Sequence, residues 1–233
     1  MRRNNMIRVL SVGGSIVAPQ QPNESFLRDF AYRIRRWLSV SADRKLIMVV
    51  GGGGPARIYQ SAYKNIAEIT PSADEADWIG IMATRLNAQL LKAIFSDLCP
   101  QPVVYNPTAV EHFSGQMMIA AGWKPGFSTD NDAVLLAERF SAKQVINLSN
   151  IEKVYTDDPK KNPDAKPIDS ISWENFIQMV GTEWVPGKNV PFDPVASARA
   201  QKAGIEVICA GGADLDNLDN ILNDQAFKGT KIG

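Results

Sequence analysis

Two apolar runs near the amino terminus, Ile7-Arg8-Val9-Leu10-Ser11-Val12 and Leu46-Ile47-Met48-Val49-Val50, are almost unbroken and rich in β-branched residues. Continuous apolar character, rather than strict alternation, is the pattern of parallel strands covered on both faces. Further strands are expected over 102–105, 117–121, 144–148 and 205–210. Between them the apolar period lengthens to that of helices. Phe26, Leu27, Phe30, Ile34 and Leu38 share one face of a helix over 24–38 that Asn23 is placed to cap. After a polar connection over 71–77, Trp78, Ile81, Met82, Leu86 and Leu90 form one stripe along a helix over 78–98, which suits either core or a subunit interface. Another helix is expected near Pro55, whose missing N–H costs nothing in a first turn. Thr129 opens the next, with Asp130 and Asp132 in a first turn whose dipole favours acidic side chains. Helices over 173–180 and 194–203 follow, and a last one begins after Ala213 with Asp214 as its cap. The proline-rich, charged stretch 156–164 is expected to be a surface loop.

Strands alternating with helices specify an α/β fold with a mostly parallel sheet covered on both faces. The reading is one domain over residues 1–233, with residues 1–5 a leader outside the fold. Apolar residues make up 45% of the chain, enough for a full core. Lys+Arg and Asp+Glu both number 25 with no basic run, which argues against nucleic acid or a membrane surface as partner. No stretch approaches the ~20 apolar residues of a membrane span, and the amino terminus does not read as a secretory signal. Cys99 and Cys209 lack any CxxC spacing, so the expectation is reduced thiols in a cytoplasmic protein, without a disulfide frame or a zinc site. No metal-ligating cluster is expected, and the single histidine, His112, is assigned no chemistry.

The candidate chemistry lies in two glycine-rich turns, Gly13-Gly14-Ser15 and Gly51-Gly52-Gly53-Gly54, each directly after a predicted strand. Glycine lets the backbone approach a ligand closely, and a following helix start offers unpaired N–H groups and a favourable dipole. In a parallel sheet, ligands bind beyond the carboxyl ends of the strands, so these loops should meet in one cleft. Two such turns imply that phosphate is handled twice, once on a nucleotide donor and once on an acceptor. Arg57, one turn past the second, suits the charge spread over a transferring phosphoryl group. No GxxxxGK[ST] is present, so this is not a P-loop.

Taken in order, Ser11-Val12-Gly13-Gly14-Ser15, Gly51-Gly52-Gly53, Asp77-Trp78-Ile79-Gly80, Ser128-Thr129-Asp130, Asn150 to Pro159 and Phe192-Asp193-Pro194 resemble the amino acid kinase family. Within it they are most similar to the uridylate kinases of the archaeal-type branch. The resemblance implies a three-layer α/β/α sandwich, usually assembled as a hexamer. It implies transfer of the γ-phosphate of ATP to UMP with Mg²⁺, as in pyrimidine nucleotide biosynthesis. Carried over by position, Ser11, Gly13, Gly14, Gly53, Arg57, Ser149, Tyr155 and Asp158 fall on the ATP side. Gly52, Asp77 and the loop Trp123-Lys124-Pro125-Gly126-Phe127-Ser128-Thr129 fall on the UMP side. Arg57, Asp193 and Asp130 fall at the transfer centre, where Asp193 is a carboxylate suited to organising Mg²⁺.

Three departures bear on activity. Ser11 stands where many family members have lysine, leaving Arg57, Lys124 and Lys188 as candidate cations. Lys153 replaces a glycine, and if that position needs positive φ it costs roughly 1 kcal/mol or more. Ala198, with Arg199 beside it, replaces another lysine. The alternatives are a non-catalytic nucleotide or oxyanion binding protein of the same fold, as in metal-storage relatives, or a family kinase for another acceptor such as isopentenyl phosphate.

Overall fold

The computed structural model describes residues 6–159, 161–182 and 190–233. In chain order it contains β1 (Met6–Val12), α1 (Gly14–Val17), α2 (Glu24–Ser39), β2 (Arg44–Val50), α3 (Gly53–Ile66), α4 (Ala73–Ile94), β3 (Met117–Ala120), α5 (Thr129–Arg139) and β4 (Gln144–Ser149). It continues with β5 (Val154–Tyr155), β6 (Pro167–Ile168), β7 (Ser170–Ile171), α6 (Trp173–Val180), α7 (Pro194–Ala203), β8 (Glu206–Gly211), α8 (Leu215–Leu222) and β9 (Thr230–Ile232). Seven strands form one sheet in the order β3-β2-β1-β4-β8-β9-β7. Its pairings are parallel except for β8 with β9. β5 and β6 pair separately, and the loop expected over 156–164 lies between them.

The alternating faces of each strand feed two cores. Leu10, Val12, Met48, Val50, Ile146 and Leu148 pack under α2 and α8, against Phe30, Ile34 and Leu218. Val9, Ile47, Val49, Val145 and Val207 face α5, α6 and α7, against Val134, Phe176 and Ala196. This is the expected three-layer sandwich, and it explains why the central strands carry no polar stripe. Two buried indoles lock helices to the frame: Trp37 Nε1 donates to the Leu222 carbonyl at 3.0 Å, and Trp173 Nε1 to that of Ile205 at 3.1 Å.

Register positions the site. Val12 lies opposite Val50 on one side and Leu148 on the other, so the three central strands end level. The turns that follow them therefore open on one rim.

Two expectations change. Residues 102–105 form only the single bridge Val104 to Ala120, because Pro102 has no N–H to offer a ladder at the sheet edge. The long helix runs over Ala73–Ile94 instead of 78–98: the Ser72 hydroxyl accepts from the Glu75 amide, with Asp74 and Glu75 suiting the first turn. Asp77 thus lies inside the helix, not before it. Of its apolar stripe, Ile81 is buried, whereas Trp78, Met82 and Leu86 are exposed.

Candidate active site

The two glycine turns do more than face a cleft; they lie against each other. The Gly51 amide donates to the Val12 carbonyl at 2.9 Å, and that of Gly54 to Ala18 at 2.8 Å. A Cβ on Gly14 would stand 2.1 Å from the Gly53 nitrogen, and one on Gly53, whose φ is +67°, would stand 2.3 Å from the Gly14 carbonyl oxygen. No larger residue fits at either place without moving the main chain. The buried Asn87 of α4 clamps the second turn, its Nδ2 donating to the carbonyls of Gly51 at 2.9 Å and Gly52 at 3.1 Å. Arg57, on the helix after the second turn, reaches across to the first: Nη1 donates to Ser15 Oγ at 3.2 Å and Nη2 to the Pro19 carbonyl at 3.4 Å. Its guanidinium is exposed and has no ion pair among the described residues.

Behind the turns lies a group of carboxylates. Ser11, buried at the end of β1, donates its hydroxyl to Asp130 Oδ1 at 2.8 Å. Removal from water pushes the Asp130 carboxyl up to about 6; the Ser11 bond opposes this and the nearby Asp193 charge adds to it. Asp193 is buried and caps α7, its Oδ1 accepting from the Ala196 amide at 2.7 Å. The sequence places Pro194 directly after that cap, which is why the helix begins there. Asp132, one turn into α5, is 0% exposed. Burial pushes its carboxyl up to about 7, against the hydrogen bond from the Trp123 amide and with a smaller contribution from Asp130.

On the other side, the loop 122–128 is held at its backbone by side chains. The Gly122 amide donates to Thr84 Oγ1 at 2.8 Å, and the Trp123 amide to Asp132 Oδ2 at 3.1 Å. Arg85 Nη2 donates to the Trp123 carbonyl at 3.1 Å, and the Gly126 amide to Asp77 Oδ2 at 3.0 Å. Gly126 has φ +77°, a conformation glycine adopts without strain. Within the loop, Trp123 and Phe127 meet edge to face at 4.8 Å, and Lys124 Nζ lies 4.3 Å and 4.9 Å from their centroids. Ser128 caps α5 through the Asn131 amide at 3.2 Å, and Thr129 opens that helix. The predicted acceptor residues Gly52, Asp77 and the 123–129 loop are thus gathered around α4.

The residues expected on the donor side are more divided. A cavity of about 440 Å³ opens among Ile16, Ser149, Asn150, Gly211 and Asn217, with a Glu152–Lys228 ion pair of 2.6 Å at its wall. Ser149 lines it. Tyr155 and Asp158 do not line it; Tyr155 is in β5 and Asp158 in the exposed loop that follows. Lys153 adopts no positive φ and pairs with Asp169, so the feared backbone cost is absent. Arg199 does not stand in for the missing lysine: it turns to Asn131 at 3.1 Å and Glu138 at 3.2 Å on α5. Lys188 and residues 1–5 lie outside the described residues. A larger cavity, about 890 Å³, lies between α2 and α8, where Arg33 and Arg36 are paired with Asp219; it contains none of the predicted site residues.

The sequence pattern does not single out Asn87, Thr84, Arg85, Glu152 or Lys228 as site residues, and it gives Asp132 only a fit to the helix dipole. The available signal was polar residues at buried helical spacing, Thr84 and Asn87 being three apart on the face turned inward.

Interlocked glycine turns, a carboxylate pair and a side-chain-stapled loop on a three-layer sandwich define a phosphate-handling α/β protein. Residues 6–211 match the Amino acid kinase family, and the chain belongs to that family. It is 34% identical over 234 residues to the uridylate kinase of Methanocorpusculum labreanum, covering 97% of this chain and 94% of that one. It is 36% identical over 233 residues to that of Methanospirillum hungatei, with 96% and 93% covered. The crystal structure of uridylate kinase from Archaeoglobus fulgidus superposes with a TM-score of 0.81 at 30% identity, over 97% of this chain and 99% of that one. The UMP kinase of Bacillus anthracis, at 18% identity and a TM-score of 0.76, shares the fold.

Proposed function

We propose that this family member is a uridylate kinase, transferring the γ-phosphate of ATP to UMP to give UDP and ADP. The observation that carries the reading is the joined pair of glycine turns, flanked by the Asp77-anchored loop on one side and the cavity at Ser149 on the other. Full-length likeness to uridylate kinases supports the choice of acceptor.

On this reading UMP lies along Gly52, Asp77 and the 123–129 loop, where one carboxylate suits two ribose hydroxyls. ATP enters from the Ser149 cavity with its phosphates over Gly13, Gly14 and Gly53. The acceptor is already an ionised phosphate oxygen, so no general base is required. Catalysis is alignment of donor and acceptor plus neutralisation of the charge between them. Arg57, carried on the helix that follows the second turn and hydrogen-bonded to the segment that follows the first, is the cation we place beside that charge. Ser11 holds Asp130 in place, and the neighbouring Asp193 is fixed by its cap.

Among the described residues no group of three or more acidic, histidine or cysteine side chains would cage a metal. Two carboxylates fit Mg²⁺, which keeps waters and takes phosphate oxygens as ligands; Asp193 and Asp130 would hold it, and it would neutralise phosphate charge. The buried free thiols suit a reducing cytoplasm, and no helix among the described residues is long and apolar enough to cross a membrane. The exposed Trp78, Met82 and Leu86 on α4, with Ile58 and Tyr59 on α3, form the face we assign to subunit contact in a hexamer.

The test is an ADP-release assay with ATP and Mg²⁺, offering UMP, CMP, isopentenyl phosphate and acetylglutamate in parallel. Turnover with UMP is expected. Turnover with one of the others alone, or with none, would sink the assignment.

A further inference from the structure

Asp132 occupies a place where stability alone favours an apolar side chain. It is wholly buried beside Ala133, Val134 and Leu136, and its Oδ1 has no hydrogen-bond donor. A buried carboxylate with one unsatisfied oxygen costs more than the valine-sized residue that would fill the space. The one side-chain hydrogen bond it makes among the described residues is the one it accepts from the Trp123 amide at 3.1 Å.

That bond differs from the other three that hold the loop. Thr84, Arg85 and Asp77 all reach it from α4. Asp132 alone reaches it from α5, the helix whose first turn carries Asp130. The Trp123 main chain is thus pinned on both sides of its Cα, its N–H by α5 and its carbonyl by α4. Its orientation sets where the Trp123 ring meets Phe127 and where Lys124 lies between them.

We propose that Asp132 is a positioning residue for the acceptor: by holding the Trp123 amide it fixes the loop that walls the acceptor side of the cleft in register with α5. The assignment of the acceptor rests on the uridylate kinase reading; the anchoring of the loop does not.

Three variants separate the roles. Asp132→Asn keeps an oxygen for the Trp123 amide, Asp132→Val removes it at similar volume, and Asp132→Ala replaces the valine variant if that one does not fold. With the valine variant, KM for UMP is expected to rise about tenfold, the ratio set by one lost buried hydrogen bond, with kcat and KM for ATP unchanged. Asparagine should restore the UMP KM. Hydrogen exchange of the 122–127 amides in the ligand-free protein should quicken in the valine variant and stay at the wild-type rate in the asparagine variant. A merely structural Asp132 would instead lower the melting temperature without splitting the two KM values. Unchanged loop exchange in the folded valine variant, or equal rises in KM for both substrates, would overturn the proposal. Because exchange needs no turnover, a wild-type protein inactive on UMP would overturn the acceptor assignment while the exchange data still judged the anchoring.

Discussion

Replacing Asp132 by asparagine keeps the side chain's shape and its bond from Trp123 but removes its proton equilibrium. In the folded protein burial raises this carboxyl to about 7 from the usual 3.8. At about 1.36 kcal/mol for each tenfold step in proton affinity, ionising it in place costs about 4 kcal/mol more than in the unfolded chain. Between pH 4 and pH 7 the native state therefore binds more protons at this site than the unfolded state, and the site's contribution to stability falls as pH rises. Below pH 4 the carboxyl is neutral in both states and the penalty vanishes. The asparagine variant lacks this slope. Its unpaired amide group adds a constant offset, so the diagnostic is the change with pH and not the absolute difference. Urea denaturation at intervals from pH 4.5 to 8, with m-values compared to confirm two-state behaviour, is the assay. The variant should gain on the wild type by about 3 kcal/mol across that range, the remainder of the penalty being already present at pH 4.5, and level off above pH 7. Asp130, present in both proteins, cancels to first order. A stability difference independent of pH, or one that moves in favour of the wild type as pH rises, would refute the reasoning.

Gly14→Ala should destabilise the protein by about 1–3 kcal/mol or more in a denaturant melt, since its Cβ meets the Gly53 nitrogen at 2.1 Å and only main chain can yield. Arg57→Ala should lower kcat by about a thousandfold in steady-state assays, and lysine should recover only part of it, because a point charge does not reproduce the fork that reaches both Ser15 and Pro19. Leu86, 68% exposed on α4, is predicted to lie in a subunit contact; Leu86→Lys should shift the sedimentation of the protein to a smaller species while the melting transition stays cooperative.

The central strands were legible because both of their faces are buried, so apolar runs had no competing helical reading. The start of α7 was legible for a local reason as well, since Asp193 and Pro194 together form a cap and a first residue. The start of α4 was obscured because Ser72, Asp74 and Glu75 look like a polar connection until the Ser72 cap is seen closing on the Glu75 amide. The glycine turns and Asp77 stand out in the sequence because each belongs to a contiguous run of residues. Asn87, Thr84, Arg85 and Asp132 could not, because each acts on the main chain of a turn 35 or more residues away, or across a helix boundary, and in sequence a polar residue in an amphipathic helix resembles a solvated one. Tyr155 and Asp158 show a different limit: their order along the chain matches a motif, while their distance from the cavity lining depends on the short β5–β6 ribbon, which the sequence does not display.

Because Gly14 and Gly53 touch through bare main chain, the spacing between the two glycine turns is set by main-chain van der Waals contact rather than by the size of any side chain. Mutation cannot tune that span by small steps, as it can tune a cavity lined by leucine or valine. New acceptors must therefore be accommodated at the rim, through α4 and the loop it staples, while the gap that the phosphoryl group crosses stays the same. The floor acts as a gauge block, and a linked mimic of both substrates would succeed or fail on the length of its bridge.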